Sequence, residues 1–235
     1  YLKKNFNVIS LAELHLRLKN KQSISDCCSI TFDDGWRDNY THAFPVLKEL
    51  KIPATIFLST GYIGSTRSFW PEEIIFFLSH IDNFVMSKNK LLNQLLAETG
   101  VDVCDETFYD NTIETLKTWK PDVREELLAG LRSSCREQPS ERQMMNWAEV
   151  KEMHESGLVT FGAHTANHVI LDRVSLQEDE REILKSRDDI RENLGIDPDF
   201  FAYPNGNYTP EIKGLLKKHR FIMALTTKKG RVGKD

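Results

Sequence analysis

The sequence predicts an α/β fold built on parallel strands, and three observations predict it. Short apolar, β-branched runs alternate along the chain with stretches of helical periodicity. The interval from Ser29 to Ser59 holds a strand, a helix and a second strand, about the span of a parallel crossover. Polar motifs follow directly after three of the predicted strands, where both an open doubly wound sheet and a barrel of parallel strands with outer helices place their chemistry.

The elements follow in order. Ser10 precedes Leu11-Ala12-Glu13-Leu14-His15-Leu16-Arg17-Leu18, a short capped helix expected to pack outside the sheet. Ser29-Ile30-Thr31-Phe32 reads as a buried strand that ends in Asp33-Asp34-Gly35. Ala43, Phe44, Val46, Leu47 and Leu50 recur at helical spacing from Thr41 to Leu50, with Pro45 tolerable in the first turn. Pro53 closes that helix, and Ala54-Thr55-Ile56-Phe57-Leu58-Ser59 is the next strand.

Between Gly64 and Trp147 the pattern turns helical and irregular, with helices over Glu72 to Leu78, Lys90 to Glu98, Ile113 to Trp119 and Val123 to Arg132 and no strand pair. This stretch, about 65–145, reads as a helical insertion or cap. Strand logic resumes with a helix from Asn146 to Ser156, stopped by Gly157, and a strand from Leu158 to Ala163 that ends at His164. A charged helix from Leu176 to Leu194 stops at Gly195 and reads as a solvated face. The strand Phe200-Phe201-Ala202-Tyr203 is broken by Pro204-Asn205-Gly206, and a helix from Pro210 to His219 leads to a last strand, Phe221 to Thr226.

At 235 residues one large domain, or a core domain with an insertion, suffices. Hydrophobic residues at 40% and charged residues at 28% are ordinary for a globular chain, which excludes global disorder. A formal net charge of −4 offers no polybasic field for nucleic acid or an anionic membrane, and no run approaches a membrane span. Cys27, Cys28, Cys104 and Cys135 have neither the density of a disulfide scaffold nor CxxC spacing, so they read as free thiols.

His164-Thr165-Ala166-Asn167-His168 sets two imidazoles four positions apart, near enough on a turn to reach one divalent cation; two unrelated histidines would look the same. Asp33-Asp34-Gly35 could be a plain turn, yet adjacent carboxylates after a buried strand are costly unless a cation or hydrogen bonds compensate. One Asp and two His leave room for water, the arrangement of a catalytic rather than a structural zinc site. The second Asp is then free to act as a base.

Thr31-Phe32-Asp33-Asp34-Gly35 together with His164-Thr165-Ala166-Asn167-His168 resembles the signature of the polysaccharide deacetylase family (NodB homology, carbohydrate esterase family 4). The resemblance extends over Ala43 to Ile63 and over Phe201-Ala202-Tyr203-Pro204-Asn205-Gly206. It implies a distorted, incomplete (β/α) TIM-like barrel of about seven parallel strands with the helical insertion, the chain being cut short at its C-terminus. By position it implies Asp34, His164 and His168 as ligands of a divalent metal, usually zinc, and Asp33 as general base. Metal-bound water would attack the acetamide carbonyl of an N-acetylated carbohydrate, with the oxyanion stabilised in the loop of Pro204, by the N–H of Asn205.

Two departures qualify the match. Many members carry Arg where this chain has Ala202, so Asp33 must be oriented otherwise or left less constrained. The family's late Leu-and-His motif, source of the general acid, is not found before Asp235; His219 precedes the last strand and should lie away from the site. These departures keep a carbohydrate-binding pseudoenzyme in play, and O-acetyl ester hydrolysis on the same site is a further alternative. Phe69-Trp70-Pro71 and Asn146-Trp147 read as packing and capping features rather than sugar platforms.

Overall fold

The computed structural model describes residues 1–80, 88–101, 105–135, 137, 142–230 and 232. Five parallel strands form one sheet in the order β3-β4-β5-β6-β7: Ile30–Phe32, Ala54–Leu58, Val159–Ala163, Phe200–Ala202 and Met223–Leu225. Two further short strands, β1 (Asn7–Val8) and β2 (Cys27–Cys28), pair parallel with each other. The sheet curls into part of a barrel, so the architecture is the distorted, incomplete (β/α) barrel that the resemblance implied. Every strand follows its neighbour through a crossover, the connection that parallel pairing demands.

Strand alternation sorts the side chains onto two faces. Ile56, Leu58, Phe161, Ala163, Phe201 and Tyr203 point into the main core. There they meet Phe44 and Leu47 from the Phe44–Leu50 helix, Val150 and Met153 from Trp147–Glu155, Ile183 and Ile190 from Leu176–Leu194, and Ile212 and Leu216 from Pro210–Lys218. Phe57, Phe200 and Ala202 point the other way, and Leu11 packs on them. The Leu11–Lys19 helix, expected outside the sheet, therefore covers the face that the other helices leave. The reason is in its composition: Leu11 and Leu14 supply the apolar contact that face needs.

Local chemistry sets the element boundaries. Ser10 accepts from the Glu13 N–H, and Asn146 and Glu149 form a reciprocal capping box at the start of Trp147–Glu155. Ser175 caps Leu176–Leu194, and Gly195 ends it at φ 72°. Before Phe44 the chain winds a π-helical turn over Asn39–Ala43, which the apolar spacing did not disclose. The last strand is shorter than expected, because the Phe221 N–H still bonds the Leu216 carbonyl in the turn that closes the preceding helix.

The chain divides into two compact units, Tyr1–Thr66 with Gln143–Asp235, and Arg67–Arg142. The sheet and the main core belong to the first. In the second, the helices Trp70–His80, Lys90–Thr99, Phe108–Thr118 and Pro121–Ser134 enclose their own core of Ile74, Phe77, Leu92, Leu95, Phe108 and Leu127, and no strand occurs among its described residues. Phe69 is buried, and Arg124 lies 4.4 Å from the ring centre of Trp70, so neither presents a free platform. Cys27, Cys28 and Cys135 are free thiols; Cys104 lies outside the described residues.

Candidate active site

Strand register brings the three polar motifs to one end of the sheet. Phe32 pairs with Ile56, Leu58 with Ala163, and Ala163 with Phe201. The chain leaves these strands as Asp33-Asp34, Ser59, His164 and Tyr203-Pro204. Three of these loops adopt an uncommon backbone: Asp34 (φ 74°), Thr165 (φ 60°), His168 (φ 52°) and Asn205 (φ 58°) are all left-handed. Gly35 continues the first of these turns at φ 91°, where a Cβ would stand 2.7 Å from Ile63 Cδ1.

The turn aims Asp34 at the histidines. Its Oδ1 lies 3.5 Å from His164 Nε2 and 3.3 Å from His168 Nε2. The two imidazole rings are 5.0 Å apart, inclined at 63°. Asp34 Oδ2 accepts from the indole N–H of Trp36 at 3.1 Å, whereas the buried Oδ1 has no hydrogen-bond partner among the described residues. Burial pushes the Asp34 carboxyl above the ordinary carboxylate range; His164 and the Trp36 N–H pull it back, and Asp33 adds to the rise.

His164 is held on every side. It is 2% exposed, its N–H bonds the Leu58 carbonyl at 3.0 Å, and its own carbonyl accepts from Ser59 Oγ. Nδ1 lies 2.7 Å from the Ala202 carbonyl, which can only accept, so Nδ1 carries a proton and Nε2 is the ring nitrogen that faces Asp34. A backbone carbonyl behind an imidazole is the arrangement that orients metal-binding histidines.

An oxygen and two nitrogens at these separations fit a cation. Ligands about 2.0–2.1 Å from a tetrahedral zinc stand roughly 3.3–3.4 Å from one another. Asp34, His164 and His168 are also the group that can converge on one ion among the described residues, all three ligand atoms lying within 4.8 Å of each other. A buried carboxylate oxygen facing two ring nitrogens is costly unless a cation or a protonated imidazole compensates it.

The remaining residues singled out from sequence stand apart from this trio. Asp33 is exposed, and its carboxylate makes no hydrogen bond or ion pair to a described residue. Ala202, in the place of the family's arginine, turns its methyl to the second face of the sheet and gives its carbonyl to His164. Pro204 is buried, and Asn205 is exposed with its side chain donating to Asn207 Oδ1. His219 sits beside Glu180 at the N-terminal end of β7, away from the motif loops.

Sequence reasoning passed over Trp36, Ser59 and Glu182. Trp36 follows Asp33-Asp34-Gly35 at a spacing that lets its indole reach back to Asp34. Ser59 ties two loops, its N–H to the Asp34 carbonyl and its hydroxyl to that of His164. The Leu176–Leu194 helix is a solvated face only on its outer side: Asp179, Glu182 and Ser186 are buried. Their spacing, three or four positions apart, was the available signal.

The family model for polysaccharide deacetylase matches residues 20–224. The chain belongs to the polysaccharide deacetylase family. Over 38 residues it is 58% identical to the poly-β-1,6-N-acetyl-D-glucosamine N-deacetylase of Staphylococcus epidermidis (strain ATCC 35984), covering 16% of this chain and 13% of that protein. The matched stretches span no more than a fifth of the curated relatives' length. Among solved structures, the Streptococcus pyogenes deacetylase PplD in complex with acetate superposes with a TM-score of 0.59 at 18% identity, over 97% of this chain and 69% of that one. IcaB from Ammonifex degensii gives 0.57 at 20% identity, over 94% and 69%. The chain shares the fold of these two proteins.

Proposed function

We propose that the chain carries the metal centre of a hydrolase that removes N-acetyl groups from an amino-sugar polysaccharide or glycolipid. The observation that carries this reading is the convergence of Asp34 Oδ1 with the two Nε2 atoms of His164 and His168, at 3.3 and 3.5 Å. Membership of the family supports it, as does the name of the Staphylococcus epidermidis relative, an N-deacetylase of a poly-N-acetylglucosamine.

Asp34, His164 and His168 would hold a divalent cation, and two nitrogens with one carboxylate oxygen suit zinc. Such an ion supplies a Lewis acid and lowers the pKa of a coordinated water to about 7. Asp33, next in the chain and accessible to solvent, takes the proton from the attacking water. Asp34 cannot share that task while both its oxygens are engaged, so the adjacent carboxylates divide the work. The backbone N–H of Asn205, in the left-handed turn after Pro204, donates to the acetamide oxygen as charge gathers there. Ala202 acts through its main chain by keeping the Nδ1 proton of His164 in place.

Acetate release from N-acetylglucosamine oligomers, with zinc removed and restored, tests the proposal. The zinc-loaded protein should release acetate, Asp33→Asn should keep its zinc and lose at least about a hundredfold in kcat, and His164→Ala should lose both. A His164→Ala protein with full zinc content and activity would end the assignment.

The exposed, unheld Asp33 carboxylate and the alanine at position 202 favour one second reading, a carbohydrate-binding protein of the same fold with impaired turnover. On that reading the wild-type protein binds zinc and the oligomers yet releases no acetate. A panel that includes acetylated xylan separates amide from O-acetyl ester hydrolysis.

A further inference from the structure

Glu182 is 5% exposed, and burying a carboxylate is costly unless its oxygens are matched. Both of its oxygens are matched by one residue: Oε2 accepts from the Asn167 main-chain N–H at 2.7 Å, and Oε1 from the Asn167 side-chain amide at 2.9 Å. Asn167 is the residue immediately before His168. It is itself exposed, and this carboxylate holds both its main chain and its side chain. From the other side, the Gly61 N–H bonds the Ala166 carbonyl at 2.8 Å, and a Cβ on Gly61 would stand 2.9 Å from that oxygen.

The two histidines are therefore fixed in different ways. His164 is locked by its own ring and by the strand end, through Ala202 and Leu58. His168 lies at the far end of a turn that passes through two left-handed residues, Thr165 and His168, which an unrestrained chain would leave. We infer that Glu182 is a positioning residue for His168: by gripping Asn167 with both oxygens it holds the second imidazole at the distance from Asp34 that a shared cation needs. This rests on the reading of His168 as a metal ligand.

The inference separates hydrogen bonding from charge. Glu182→Leu removes both acceptors. Glu182→Gln keeps an acceptor for the Asn167 main chain, and once the Asn167 amide turns over it can donate to that side-chain oxygen. Zinc titration against a competing chelator should show Glu182→Leu binding about ten- to a hundredfold more weakly than wild type, with Glu182→Gln within about threefold of it. In zinc-free protein, the His168 imidazole resonances should move in Glu182→Leu and not in Glu182→Gln, with those of His164 unchanged in both.

Should Glu182→Leu fail to fold, Asn167→Ala replaces it, at an exposed position where only a role of this kind would weaken zinc several-fold. Wild-type zinc affinity in Glu182→Leu, or in Asn167→Ala when that variant stands in, would overturn the inference. So would a loss in Glu182→Gln as large as in Glu182→Leu. A wild-type protein that binds no zinc defeats the proposed function instead, and the imidazole resonances then decide this inference alone.

Discussion

At the scale of single residues, backbone strain marks the site. Eight non-glycine residues have positive φ among those described, and Asp34, Thr165, His168 and Asn205 are four of them. Each costs on the order of 1 kcal/mol against an ordinary conformation, so their gathering in three loops at one sheet end is structure held for a purpose. Burial leaves a second residue-scale signature at Asp179. Its carboxyl is pushed up to about 6 by burial first, with Asp172 and Glu178 adding to the rise, and its Oδ1 has no hydrogen-bond partner among the described residues. The native state thus binds this proton more tightly than the unfolded chain, whose Asp titrates near 3.9. Stability should accordingly fall as pH rises from about 4 to about 6 and stay level above that. Asp179→Asn should match wild type near pH 4 and exceed it by about 2–3 kcal/mol at pH 7, read from urea unfolding at the two pH values. A variant less stable than wild type at pH 7 would show that the carboxylate has a stabilising partner there. Asp34, His164 and His168 were legible as a candidate set because their two compact motifs follow directly on strand ends. Glu182 was not, because a carboxylate in a run as charged as Glu178 to Glu182 looks solvated until its neighbours are placed.

At the scale of elements, capping and register carry the fold. Helix starts at Ser10, Asn146, Ser175 and Thr209 each coincide with a side-chain cap, which is why the sequence placed them within a residue or two. Asn146→Ala should cost about 1 kcal/mol in unfolding free energy, because it removes the side-chain oxygen that accepts from the Glu149 N–H and leaves only the bond from the residue-146 N–H to the Glu149 carboxylate. A stability change within about 0.3 kcal/mol, measured by urea unfolding, would mean the box contributes nothing. What periodicity could not supply was long-range or very short. The strands Asn7–Val8 and Cys27–Cys28 are two residues each, below any repeat. The π-helical turn at Asn39–Ala43 shares its apolar spacing with an α-helix. Which sheet face the Leu11–Lys19 helix would cover depends on Phe57 and Phe200, far away in sequence.

At the scale of the whole molecule, parallel topology is what makes a site out of distant segments. Every strand of the β3-to-β7 sheet runs the same way, so residues 33–34, 164–168 and 204–205 emerge together although long stretches separate them in the chain. That convergence followed from strand order and was readable from the sequence; the distances of 3.3 and 3.5 Å between Asp34 Oδ1 and the two imidazoles were not. If Asp34, His164 and His168 share one cation, crystals grown with zinc show it in an anomalous difference map at the zinc edge. A single strong peak about 2.0–2.2 Å from Asp34 Oδ1 and from the Nε2 atoms of His164 and His168 is the expected result. A map with no density among those three atoms, or with zinc bound only elsewhere, would contradict it.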